Sequence, residues 1–154
     1  MSTRQFTLKA AKSRADFHLS LTFADGAKLQ VDLKPIIAAT SSLARLSDVV
    51  VFRKVKLGEW GGSVVWAKDE NLELAADNLR ARAVEQAGGC SHEFIWNWMA
   101  RHQLTLDAAA DALGLSRRIL AYYRSGEKPL PRTVALACLG WEHERADAAV
   151  SLVA

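Results

Sequence analysis

Two hydrophobic spacings divide the chain. In its first part Phe17, Leu19, Leu21 and Phe23 alternate with polar or small residues, and Leu29, Val31 and Leu33 repeat the alternation after Asp25-Gly26. A period of two marks a half-buried strand, so the pattern predicts a β-hairpin. Register constrains its turn. A two-residue Asp-Gly loop would set Phe23 opposite Lys28 and send the apolar side chains of the two strands to opposite faces. A three-residue loop, Ala24-Asp25-Gly26, pairs Phe23 with Ala27, Leu21 with Leu29 and Leu19 with Val31, all on one face. Gly26 then occupies the left-handed position of a bulged turn. Pro35 ends the second strand, and a short helical or irregular stretch through Leu43–Asp48 follows. Phe52–Leu57 and Ser63–Trp66 read as further strands, connected through Gly58 and Gly61-Gly62. Residues 73–86 read as a helix on Leu74, Leu79 and Val84, stopped by Gly88-Gly89.

Beyond that glycine pair every segment has helical spacing. Ser91 is the expected N-cap of a helix with Glu93 in its first turn and Phe94, Ile95, Trp98 and Met99 on one stripe. Thr105 caps a second helix, closed by Leu113-Gly114-Leu115. Ser116 caps a third, which ends near Ser125-Gly126. Pro129 and Pro131 precede a fourth over 132–140, and the tail 142–153 is expected to be helical with Ala146, Ala149, Val150 and Val153 on one side. The fold class expected is therefore α+β: residues 1–88 a small antiparallel-sheet domain with a helix, residues 89–154 an all-α helix-turn-helix domain.

Composition changes little. Half the 154 residues are hydrophobic, a quarter are charged and the net charge is +3, the profile of a globular chain. No apolar run is long enough to span a bilayer, and the first residues lack the apolar core of a signal peptide. The expectation is a cytoplasmic protein with no membrane partner. The two cysteines, Cys90 and Cys138, have no zinc-type spacing, with Cys90-Ser-His92 the nearest approach. Neither a metal nor a cofactor is expected.

The distribution of charge is more informative than its total. Residues 116–132 carry Arg117, Arg118, Arg124, Lys128 and Arg132 against Glu127 alone, a net +4, whereas the flanks 91–115 and 133–154 together carry −4. A basic helix on an otherwise acidic small domain suits a phosphate-backbone binder. With Leu120 and Tyr123 turned inward, helical geometry turns residues 117, 118, 121 and 122 outward.

Thr105, Ala110, Gly114, Ser116-Arg117-Arg118, Leu120, Tyr123, Gly126 and the Pro129-Leu130-Pro131 stretch resemble the helix-turn-helix of the Cro/Xre, lambda-repressor-like family over about residues 93–141. The resemblance implies double-stranded DNA in contact with Thr105, Ser116, Arg117, Arg118, Ala121 and Tyr122. Arg124, Lys128 and Arg132 would reach phosphates. Leu106 departs from the family pattern, which commonly has glutamine there. The first part, through Leu19–Gly26, Val31-Asp32-Leu33, Leu46-Ser47-Asp48, Phe52, Trp66, Asp69 and Leu72, resembles the bacterial domain-of-unknown-function family 2442. Its members are often encoded beside small toxin-like proteins.

The function expected is a DNA-binding transcriptional regulator, in an antitoxin-like setting and acting as a homodimer on two half-sites. The alternative is a protein-interaction module that binds a toxin-like partner and keeps its helix-turn-helix for structure. No enzyme is expected. His18, His102, Asp48 and Asp69-Glu70 form no catalytic constellation, and Gly61-Gly62-Ser63 lacks the strand–loop–helix context of a phosphate loop. The five tryptophans, Trp60, Trp66, Trp96, Trp98 and Trp141, are assigned to core packing or to contact between the halves.

Overall fold

The computed structural model describes residues 3–66 and 72–153, with side chains as far as Ala148. The chain divides into two compact units, Met1–Gly88 and Gly89–Ala154. The first is α+β and the second all-helical.

In the first unit β1 (Leu8–Arg14), β2 (His18–Phe23) and β3 (Lys28–Asp32) form an antiparallel sheet in that order. The hairpin has the expected register, with Leu21 opposite Leu29 and Leu19 opposite Val31. Phe23 N donates to Ala27 O at 2.9 Å, and Gly26 has φ +93°. Asp25 Oδ1 accepts from Ala27 N and completes the turn. Leu19, Leu21, Phe23 and Val31 are buried, as one shared face requires.

The chain then forms α1 (Lys34–Ala39), a 3-10 stretch over Ser41–Ser47 and α2 (Val49–Phe52). Pro35 sits in the first turn of α1, where its missing N–H costs nothing. Here the structure corrects the reading of Phe52–Leu57 as one strand. Asp48 caps α2 by accepting from Val50 N at 2.9 Å, and the strand β4 begins only at Val55 and ends at Leu57. The helical turn delivers Phe52 to the core, against Phe17 at 5.2 Å and Trp66 at 6.1 Å between ring centroids. Phe52 O also accepts from Trp66 Nε1 at 2.9 Å, so the buried indole is satisfied.

A second antiparallel sheet consists of β4, β5 (Ser63–Trp66) and β6 (Glu73–Ala75). The helix expected over 73–86 therefore starts later, as α3 (Ala76–Gln86). The three residues before it pair with β5, Leu74 opposite Val64, and in that pairing Leu74 is buried. Gln86 clamps α3 to β3, its amide donating to Asp32 O and accepting from Asp32 N. Arg80 lies over the Phe23 ring and pairs with Asp25 at 2.9 Å. Asp69 and Glu70 lie outside the described residues.

The second unit contains α4 (His92–Arg101), α5 (Leu106–Leu113), α6 (Arg117–Ser125) and α7 (Arg132–Val153). Its core joins Ile95, Trp98 and Met99 of α4, Ala109 and Ala110 of α5, Leu120 of α6, and Leu130, Val134, Ala135 and Cys138. The fourth helix and the tail are a single helix, since Gly140 does not interrupt it. Ala146 is exposed, while the side chains of Ala149, Val150 and Val153 lie outside the described residues.

Candidate nucleic-acid interface

Thr105 accepts from Ala108 N at 3.1 Å and Ser116 from Ile119 N at 3.2 Å, so two of the three predicted caps start their helices by satisfying an orphan amide, while Ser91 stands at the N-cap position of α4 without a side-chain capping bond. Between α5 and α6 Gly114 takes φ +67°, ψ 29°. Among the described residues no atom lies within 4 Å of where its Cβ would be, so the glycine is there for backbone angle rather than for space. Leu115 N then donates to Ala110 O at 2.9 Å and closes the turn. Ala109 and Ala110 are buried where α5 meets its neighbours, and a larger side chain there would push the helices apart. The product is two short helices on one core, with α6 offering its other face to solvent.

Leu120 is fully buried and Tyr123 half-buried against the core, whereas Ser116, Arg117 and Arg118 are exposed. Ala121 and Tyr122 are half-buried. Tyr122 gathers the positive charge. Its hydroxyl accepts from both Nε and Nη2 of Arg118 at 3.3 Å, and Lys128 Nζ lies 4.9 Å from its ring centroid. The hydroxyl holds the Arg118 guanidinium above its ordinary pKa. Lys128 is brought there by the backbone, because its N–H donates to Tyr122 O after Gly126 turns the chain with φ +80°. Arg117 makes a long ion pair, 3.5 Å, with Asp107 in the first turn of α5. Both groups are exposed, so the pair is weak and readily exchanged for another anion. Arg124 stacks on Trp96 of α4 at 4.9 Å. Arg132 is exposed at the first turn of α7.

Trp96 corrects the assignment of every tryptophan to packing. It is 51% exposed, with the half-buried Arg124 lying over its ring, and Trp60 in the first unit is 93% exposed at φ +57°. Helical spacing separates Trp96 from the Ile95 and Trp98 stripe, but nothing in the sequence offers a large apolar residue outside the stripe another use. Leu106, the departure from the family pattern, packs at the edge of the core. It uses an apolar side chain where a polar one would reach outward.

The sequence also left unread a polar knot between α4 and α7. Glu142 Oε1 accepts from Arg101 Nη2 at 2.7 Å and lies 2.8 Å from His102 Nε2. His102 and Trp141 meet edge to face at 4.9 Å, and Trp141 meets Trp98 at 5.3 Å. Arg101 first, then His102, hold the Glu142 carboxyl below its ordinary pKa of 4.5. A carboxylate lowered in the folded state contributes stability above its unfolded pKa and loses it as pH falls through the folded one. Urea midpoints of the Glu142→Gln variant should therefore change less between about pH 5 and about pH 3 than those of the wild type. Parallel midpoint–pH curves would rule out this contribution. The neighbouring Cys138 is buried, which pushes its thiol up to about 12 and leaves it unreactive near neutral pH.

Among the described residues no group of three or more His, Cys, Asp or Glu could hold a metal ion, and no helix is long and apolar enough to cross a membrane. Residues 8–85 match the family described as protein of unknown function (DUF2442). A crystal structure of a candidate DNA-binding protein from Nitrosomonas europaea is similar along nearly the whole chain, with 43% sequence identity and a TM-score of 0.83. That similarity covers 92% of this chain and 90% of the other, so it takes in the helical unit that the family match does not reach. No curated protein matches.

Proposed function

The chain belongs to the DUF2442 family of proteins of unknown function, and from that premise we propose that it is a cytoplasmic DNA-binding transcriptional regulator of the Cro/Xre type. Its helical unit would bind double-stranded DNA through α6 as a homodimer on two half-sites, and its first unit would receive a partner. The observation that carries this reading is the cationic cluster on the exposed side of a capped helix: Arg117 and Arg118 at its start, Lys128 folded back over Tyr122, and Arg124 on Trp96. The similar Nitrosomonas europaea protein, named as a candidate DNA-binding protein, supports it. Thr105, Ser116, Ala121 and Tyr122 complete the surface, with the two caps placing helix N-termini where a phosphate can sit. An antitoxin-like autoregulator fits the same surface, the first unit holding a toxin-like protein while α6 holds the promoter.

Electrophoretic mobility shift with DNA from the protein's own promoter tests the reading. The wild type should bind in a salt-dependent way, with a log–log slope near −3.6 per protomer for about four phosphate contacts. The Arg117→Ala/Arg118→Ala double variant should bind much more weakly. Equal, salt-independent retention by both proteins would refute DNA binding and favour the protein-interaction module.

A further inference from the structure

We infer that the exposed face of α7 is the surface on which two copies of this chain associate, packed antiparallel across a two-fold axis between Leu139 and Gly140. The helix is used on two sides. One stripe, Val134, Ala135, Cys138, Trp141 and Glu142, packs against the core or is partly covered. The other runs Arg132, Leu136, Leu139, Gly140, His143 and Asp147, a spacing that keeps all six within about 100° of the helix circumference. All six are exposed, Leu136 at 51% and Leu139 at 49%. Two large aliphatic residues on a solvent-facing helix leave their burial unused among the described residues of this unit.

Gly140 points to what covers them. A glycine inside a helix is destabilising relative to alanine unless a neighbour must approach closely. Here, among the described residues, nothing lies within 4 Å of the position its Cβ would take. The position is open, and beside the exposed Leu136 and Leu139 it forms a notch that a facing side chain can enter.

Charge selects the occupant and its direction. In a parallel pair Arg132 would face Arg132 and Asp147 would face Asp147. In an antiparallel pair centred between residues 139 and 140, Arg132 of each copy faces Asp147 of the other, Leu136 faces His143, and Leu139 enters the notch at Gly140. The same patch thus complements itself, as an isologous two-fold contact must. Arg132 also stands at the positive end of its helix dipole, in a first turn without an acid, where an external carboxylate is welcome. With Arg132 used across the axis, Arg117, Arg118, Arg124 and Lys128 remain for DNA. A contact about 22 Å long and one helix wide is smaller than a standard interface, so the dimer is expected to dissociate in the micromolar range.

This surface supplies the dimer that the DNA reading requires, but its test uses no DNA, so the two can fail separately. Sedimentation velocity of the full chain from about 1 to about 200 μM should show a reversible monomer–dimer equilibrium. Leu136→Glu with Leu139→Glu should abolish it without unfolding, because both residues are exposed. Arg132→Asp alone and Asp147→Arg alone should each weaken the dimer about tenfold, and the two together should restore it. Gly140→Ala should raise the melting temperature of the dilute monomer while weakening association, a pair of opposite signs that a merely structural glycine would not give. A monomer throughout overturns the inference. So does a dimer that ignores these substitutions or is not rescued by the charge exchange.

Discussion

Replacing Arg118 and Lys128 together by alanine is expected to reduce the salt slope of DNA binding by about 1.8 per protomer and to weaken binding roughly thirtyfold near 0.15 M salt. The expectation follows from the way the two cations are held. Arg118 has two of its guanidinium N–H groups committed to the Tyr122 hydroxyl, and Lys128 sits over the same ring at 4.9 Å. Of the five donors of an arginine three remain, enough for a phosphate oxygen but poorly disposed for the bidentate grip on a guanine edge. A compact ammonium beside it adds a point charge. Every phosphate that goes without its cation takes about 0.9 from the slope, and the effect is the same for every DNA sequence. Arg117 has only a weak, exposed partner in Asp107, so its side chain is free to exchange that carboxylate for a base edge. Arg117→Ala should then relax preference at one base pair by about 1–3 kcal/mol. Fluorescence anisotropy over a salt series, with promoter and scrambled duplexes, measures both quantities. An unchanged slope in the Arg118/Lys128 variant would remove the phosphate role from this pair.

The elements around this surface were legible to different degrees. Ser116, Gly114 and Thr105 announce helix ends by local chemistry, and each makes the bond or takes the angle its residue type favours. The hairpin was equally legible, because a two-residue loop would send the apolar residues of its strands to opposite faces, whereas the three-residue loop puts Leu19, Leu21, Leu29 and Val31 on one face. The stretch from Val49 to Phe52 was not. Phe52 read as the start of a strand running to Leu57, but a side-chain cap from Asp48 together with packing of Phe52 against two rings makes it the end of a helical turn. β1 was hidden too, since its Lys-Ala-Ala-Lys centre has no apolar alternation and its partner β2 supplies the order. The site's organisers, Tyr122 and Trp96, had no sequence signal as platforms for cations. An aromatic ring beside arginines becomes a platform only when the fold sets the distance.

The Leu120→Ala variant should lose most of the stability of the helical unit, and its DNA binding with it. Leu120 is fully buried on α6, in the core shared with Ile95, Trp98, Ala109 and Ala110. Truncation removes the apolar transfer energy and leaves a cavity, together about 2–5 kcal/mol. The surroundings have little means to collapse into that cavity. Ala109 and Ala110 are too small to refill it, and Trp98 is held by edge contacts to His102 and Trp141. A unit of this length has roughly 3–10 kcal/mol of stability in total at ordinary values per residue. The loss is thus a large fraction of the whole, and the surface on α6 exists only while Leu120 anchors it. Urea unfolding of the full chain followed by tryptophan fluorescence and by helical circular dichroism checks this. The helical signal should shift to markedly lower urea. A shift below about 1 kcal/mol would mean that the core relaxes around the cavity, and that α6 is positioned by its caps and turns rather than by this leucine.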